Sequence, residues 1–178
     1  MRILVDQDGV IANWGAEWDR HAIQYSHLGL PLTPDQISFD LTLGLTEEGK
    51  NAVMSIMEHP GFYADLEPFE GAAEALNTML EEGHEVFIVT SPWVSNTTCA
   101  SDKLRWVEKH IGKGWAKRTV ITGDKTVVLG DILIDDKPEI TGSMAPLWEH
   151  VYFTQPYNII MDNSLRRIND WTEWRTLL

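Results

Sequence analysis

The first ten residues, MRILVDQDGV, constrain the fold more than any other stretch of the chain. Ile3-Leu4-Val5 is a short, wholly apolar run of the kind found in strands buried on both faces. It stops abruptly in Asp6-Gln7-Asp8-Gly9, two carboxylates two residues apart and then a glycine. Gly9 tolerates unusual dihedrals and lets backbone N–H groups come close to a ligand. If the strand is central and parallel, this loop lies at its carboxyl end, where open α/β sheets hold ligands. Taken alone, the same four residues are equally a solvated acidic turn.

The rest of the chain supplies the sheet. After Val10-Ile11-Ala12-Asn13-Trp14, residues 14 to 29 carry Trp14, Trp18, Ala22 and Tyr25 at near-helical spacing, with Gly29 and Pro31 as a stop. Pro31, Pro34 and Ile37-Ser38-Phe39-Asp40 read as loop, and a second helix opens near Thr46-Glu47-Glu48 and ends near Pro60-Gly61. Residues 15 to 68 contain no convincing strand and read as a helical insertion. Strand and helix then alternate as in a parallel sheet. A helix over 71 to 82, stopped by Gly83, leads to the strand Val86-Phe87-Ile88-Val89 and then Thr90-Ser91-Pro92. A helix over about 100 to 111, apolar at Leu104, Val107 and Ile111, precedes the strand 119 to 122 and the loop Gly123-Asp124-Lys125. Ile132-Leu133-Ile134 runs into Asp135-Asp136, and Val151-Tyr152-Phe153 gives the last of about five strands. The pattern predicts a C-terminal helix over about 163 to 177 that buries Leu165, Ile168 and Trp171 or Trp174.

Length and composition bound the answer. The 178 residues suit one domain, or one domain with a sizeable insertion, and 43% apolar content supplies a core without staples. One cysteine, Cys99, excludes an intramolecular disulfide framework and fits a reducing compartment. The N-terminal apolar run is too short for a signal peptide, and no segment approaches the roughly 18–20 apolar residues that span a bilayer. The expectation is a soluble, cytoplasmic protein. A formal charge of −13, with no compensating basic run, argues against nucleic-acid polymers and anionic membranes. A small anion still binds if positive charge is concentrated locally.

A βαβ sheet collects its strand ends on one edge, so Asp6, Asp8, Thr90, Lys125, Asp135 and Asp136 are expected to converge. Four carboxylates there repel one another unless some are protonated or a cation sits among them. Oxygen-only ligands point to a hard ion, Mg2+ before others. Thr90 and Ser91 offer hydroxyl and N–H donors to phosphate oxygens, as do N–H groups around Gly9, and Lys125 supplies charge. Each has a plain alternative: a polar turn before Pro138, an ordinary strand end, a surface lysine. Lys103, Lys109 and Lys137 compete with Lys125 but lie on a helix face or beyond the acidic pair. Together the residues suit covalent phosphoryl transfer, Asp6 attacking phosphorus and Asp8 serving as acid and then base. The six histidines lack ligand spacing, and Trp106, Trp148, Trp171 and Trp174 read as packing.

Asp6-Gln7-Asp8-Gly9-Val10, Thr90-Ser91, the loop lysine and Asp135-Asp136 resemble the haloacid dehalogenase-like phosphatases. Residues 124 to 128, 134 to 142 and 148 to 151 narrow the resemblance to the 5'(3')-deoxyribonucleotidases. It implies an α/β core of Rossmann-like parallel sheet (residues 1–14 and 69–178) with a helical cap (15–68) inserted after the first strand. It also implies Mg2+-dependent hydrolysis of nucleoside monophosphates. By motif, Asp6 is the nucleophile and Asp8 the acid/base, its backbone carbonyl a metal ligand. Thr90 and Lys125 bind phosphate, and Asp136 holds the metal, supported by Asp135. Trp14 and Phe39 stand where family aromatics enclose the base, whereas Met57 falls where another aromatic belongs. A sugar phosphate as substrate, a phospho-accepting signalling domain, and a homodimer stay open at this point.

Overall fold

The computed structural model describes residues 1–159 and 165–178. In chain order these form β1 (Arg2–Val5), β2 (Ala12–Asn13), α1 (Trp14–Ala22), α2 (Glu47–Met57), β3 (Glu67–Pro68), α3 (Ala72–Glu81) and β4 (Glu85–Thr90), then α4 (Cys99–His110), β5 (Thr119–Ile121), β6 (Ile132–Asp135), β7 (Glu149–Phe153) and β8 (Arg167–Ile168). Short 3-10 turns lie between them. Six strands make one parallel sheet in the order β5-β4-β1-β6-β7-β8. β1 is central, and its two neighbours come from far along the chain, which sets a topological switch point at its carboxyl end.

Alternation along the strands builds two core faces. Ile3 and Val5 join Ile88, Ile134 and Val151 on one side, while Leu4, Val89, Leu133 and Trp148 pack on the other. Burying each such side chain contributes about 1.5–3 kcal/mol, so the apolar run of β1 is a strong anchor. Register then fixes the site. Val5 pairs with Ile88 and Ile134, and Asp6 N donates to Ile134 O at 2.9 Å, so Asp6 leaves the sheet beside Asp135.

The helices follow local chemistry. Thr46 Oγ1 accepts from Gly49 N at 3.2 Å and Glu47 and Glu48 fill the first turn of α2, which buries Ala52, Val53 and Ile56. α3 turns Ala72, Ala75, Leu76 and Met79 inward. α4 is tied down by Trp106, whose Nε1 donates to Leu66 O at 2.6 Å.

Several expectations change. The helix expected over 14 to 29 is α1 plus a 3-10 turn, because Tyr25 leaves helical dihedrals before Gly29 stops the chain. The ladder of β2 with β3 joins Ala12 to Pro68 and Asn13 to Glu67, two residues a side and too short to show as alternation. The C-terminal helix does not form over the described part of 163 to 177; residues 163 and 164 lie outside the described residues. Instead β8 extends the sheet to a sixth strand, and a 3-10 segment, Trp171–Leu177, follows. The physical reason is that main-chain pairing with β7 captures Arg167-Ile168, and Asp170 Oδ1 then accepts from Thr172 N at 2.8 Å to start a new turn. Ile168, Trp171 and Trp174 are buried nonetheless. Among the described residues no helix is long and apolar enough to cross a membrane.

One strand residue ties stability to pH. Burial of His150 on β7, with its ring stacked 4.0 Å from that of Tyr152, pushes its pKa from 6.5 down to about 4. The unfolded chain therefore takes up the proton first, and stability present above pH 6.5 is lost as pH falls toward 4. The loss amounts to roughly 2 kcal/mol after discounting for the part of the ring that water reaches. Denaturant unfolding at pH 7 and pH 4.5 is expected to show a smaller difference in His150→Gln than in the parent chain.

Candidate active site

The carboxyl ends of β1, β4 and β6 form the floor of a cavity of about 600 Å3. Asp6, Asp8, Gly9, Thr90, Lys125 and Asp136 all line it. Lys125 Nζ lies 2.6 Å from Asp6 Oδ1 and 2.6 Å from Asp135 Oδ2, bridging the two acidic loops. The turn that carries this lysine is pinned by Asp124, whose carboxylate accepts from Thr126 N at 2.9 Å and from Ser143 N at 2.7 Å. The Ser143 and Thr126 hydroxyls also donate to it, and they, ahead of the N–H groups, hold the Asp124 carboxyl far below its ordinary range. Asp135 is fully buried and its Oδ1 accepts from Lys137 N at 2.9 Å. Ser91 is exposed at the end of β4 and lines the same cavity.

Gly9 serves differently from the sequence expectation. Its N–H donates to Ala12 O at 2.8 Å and so is engaged within its own loop rather than offered to a phosphate. Its φ is +74°, and a Cβ there would collide with the Asp136 carboxylate. Glycine is required because the two acidic loops touch at this point.

The electrostatics favour a cation. Asp6, Asp135 and Asp136 each offer a carboxylate oxygen, and these lie within 4.8 Å of one another. Burial, then Asp135 and Asp6, push the Asp136 carboxyl well above its usual range. Burial also raises Asp6 against the pull of Lys125, and raises Asp8 against that of Lys103. Lys125 itself is raised, because Asp6 and Asp135 outweigh its own desolvation. Four carboxylates thus share two ammonium groups, and a set of oxygen donors with that surplus charge fits a hard divalent ion.

The walls are apolar and aromatic. Trp14 stacks on Trp18 at 5.5 Å and meets Phe62 edge-on, and one side of it lines the cavity. Phe39, 46% exposed, meets Tyr157 edge-on at 5.6 Å across the opening. Met57, Tyr63 and Trp93 also line it. One cavity is therefore lined by Asp6, Asp8, Gly9, Trp14, Phe39, Thr90, Ser91, Lys125, Asp135 and Asp136, the candidate site residues of the sequence.

Comparison with known proteins agrees with this geometry. The family model described as "5' nucleotidase, deoxy (Pyrimidine), cytosolic type C protein" matches residues 1–178. A putative 5'(3')-deoxyribonucleotidase of Bordetella bronchiseptica is 37% identical, over the whole of this chain and 95% of that protein. The cytosolic-type 5'(3')-deoxyribonucleotidase of Homo sapiens is also 37% identical, over the whole chain and 93% of its own length. The chain belongs to the 5'(3')-deoxyribonucleotidase family. A haloacid dehalogenase-like hydrolase from Xanthomonas campestris has the same fold, with TM-score 0.54 at 12% identity over 99% of this chain and 93% of that one.

In this deoxyribonucleotidase family member two site residues were missed. Lys103, set behind Lys125 in the sequence reading because it lies on a helix face, is fully buried on α4. Its Nζ lies 2.5 Å from Asp8 Oδ2 and donates to Thr90 Oγ1 at 2.8 Å. A signal existed: Cys99, Lys103, Trp106 and Val107 share one helical face, so the lysine sits within an apolar stripe. Tyr157 was missed too, and nothing local to its sequence marks it.

Removing one partner of a buried ion pair strands the other charge. Lys103→Met is expected to lower unfolding free energy by about 3 kcal/mol. Asp8→Asn combined with Lys103→Met should recover at least about 1 kcal/mol relative to the sum of the singles, as read by a double-mutant cycle in denaturant. Strict additivity would show that the pair does not couple.

Proposed function

We propose that this chain is a Mg2+-dependent phosphomonoesterase that hydrolyses deoxyribonucleoside and ribonucleoside monophosphates through a phosphorylated Asp6. The observation that carries the reading is one cavity whose floor holds Asp6, Asp8, Thr90, Lys125 and Asp136 and whose walls hold Trp14, Phe39 and Tyr63. The floor suits a phosphate and the walls suit a planar base. The relatives named as 5'(3')-deoxyribonucleotidases support the same substrate class.

Asp6, the Asp8 backbone carbonyl and Asp136 would hold the ion, with Asp135 supporting them from beside Lys125. When bound, Mg2+ neutralises charge so that a second anion can approach, and it polarises a phosphoryl oxygen. Asp6 carboxylate attacks phosphorus as the bond to the ester oxygen breaks. Asp8, raised by burial and so able to carry a proton, gives that proton to the departing oxygen. It then takes one from a water that attacks the aspartyl-phosphate, which frees inorganic phosphate and restores Asp6. Lys125, the Thr90 hydroxyl, Ser91 and main-chain N–H groups after Asp6 stabilise the transferring group. Thr90 Oγ1 accepts from Lys103, which leaves its own proton to point at the phosphate.

Residues 15–68 act in this reading as a cap, hinged where β2 pairs with β3. A cytosolic setting and a small-molecule substrate, rather than a nucleic-acid polymer or a membrane, go with the formal charge of −13. The second reading keeps the chemistry and changes the substrate to a sugar phosphate. The aromatic walls favour the nucleotide. Asp8 beside Asp6 favours hydrolysis over a stored phosphoryl group.

Asp6→Asn is expected to lower kcat by at least about 10^3-fold, and EDTA to abolish turnover until Mg2+ is restored. Steady-state rates on a panel of ribo- and deoxyribonucleotides and sugar phosphates test the substrate class; equal kcat/KM for sugar phosphates would overturn it. Trp14→Ala is expected to raise KM for nucleotides about tenfold while leaving KM for a small aryl phosphate nearly unchanged. Equal losses on both substrates would assign Trp14 to packing alone.

A further inference from the structure

Beyond the acidic loops, a third segment grips both of them. It follows β7 and contributes contacts from three residues, Gln155, Tyr157 and Asn158. Gln155 Nε2 donates to Gly9 O at 2.7 Å, which holds the loop carrying Asp6 and Asp8. Asn158, fully buried, donates through Nδ2 to Asp136 O at 2.8 Å and to Phe153 O at 2.9 Å. Its Oδ1 accepts from Gln155 N at 3.0 Å, so the segment is braced on itself. The Tyr157 hydroxyl donates to Asp136 Oδ2.

We infer that Gln155–Asn158 is a positioning element for the metal centre, in which the Tyr157 hydroxyl orients the Asp136 carboxylate for the divalent ion. The inference rests on the metal reading given above. A lone carboxylate turns about its last torsion, and ordering it costs free energy when an ion binds. A phenol with a fixed ring removes that freedom before the ion arrives. The donor occupies one carboxylate oxygen and leaves the other for the ion. Outer partners of this kind change metal affinity by about 10- to 100-fold. Phe39 packs edge-on against the ring, with centroids 5.6 Å apart, and the absence of a side chain at Gly9 leaves room for the hydroxyl beside Asp136.

Tyr157→Phe removes the hydroxyl and keeps the ring. The test is Mn2+ binding to the ligand-free protein, followed by the loss of free-ion EPR signal, with the unfolding temperature as a control on the fold. The apparent Kd is expected to rise about tenfold in Tyr157→Phe, and binding to be lost in Asp136→Asn. The variant's turnover deficit at low metal should shrink as metal is raised, a response that simple loss of packing does not give. If Tyr157→Phe binds Mn2+ within twofold of the parent chain while Asp136→Asn does not bind, the inference is overturned and the metal reading stands. If the parent chain takes up no Mn2+, the metal reading is overturned and the inference with it.

Discussion

Repulsion among the buried carboxylates is the constraint that the rest of the structure answers. Two like charges within 4.8 Å of each other cost at least about 3 kcal/mol at an effective dielectric of about 20. Asp6, Asp135 and Asp136 make three such pairs, and Asp8 adds to them. A fold that places them together needs rigid strands to hold the backbones and positive charge to offset the field. The apolar runs of β1 and β6 supply the first. Lys125 between the loops and Lys103 behind Asp8 supply part of the second.

The two lysines do different work because they arrive from different directions. Lys125 comes from a tight turn anchored by Asp124 and reaches across from β1 to β6. Lys103 comes from the middle of a helix and joins Asp8 to Thr90, which ties the loop after β1 to the end of β4. A buried ammonium with two oxygen partners is tolerable only where those partners are fixed. The same packing that orders the lysine therefore orders the groups that face the substrate.

Much of this was legible because strand ends declare themselves. A buried parallel strand must stay apolar until it leaves the sheet, so the first polar residues after Val5, Val89 and Ile134 mark the edge where ligands bind. What stayed hidden lies on other kinds of element. Lys103 and Asp8 are 95 residues apart, and no periodicity links a helix face to a loop. Tyr157 sits in a connection whose path depends on β7, the neighbour of β6, and on contacts 21 residues back at Asp136. The C-terminal segment deceived for a related reason. Leu165, Ile168, Trp171 and Trp174 repeat at helical spacing, but an open sheet edge beside β7 competes for the backbone, and pairing of Arg167-Ile168 with Tyr152-Phe153 prevails. Local spacing reports which side chains are buried more faithfully than how the main chain buries them.

In the proposed reading, chemistry falls to buried floor residues and selectivity to more exposed walls. The floor residues are fixed by strands, buried ion pairs and short turns, whereas the wall residues Phe39 and Met54 belong to more exposed stretches of the 15–68 segment. An error of one ångström at the floor would cost catalysis heavily, since reacting atoms must meet in line. An apolar wall tolerates a change of side chain, because dispersion and burial have little directional demand. Met57 lines the wall, and in the proposed reading its flexible thioether covers a planar ligand without dictating its orientation. Substitutions on the walls are thus expected to cost less than substitutions on the floor, whose groups are fixed by buried ion pairs.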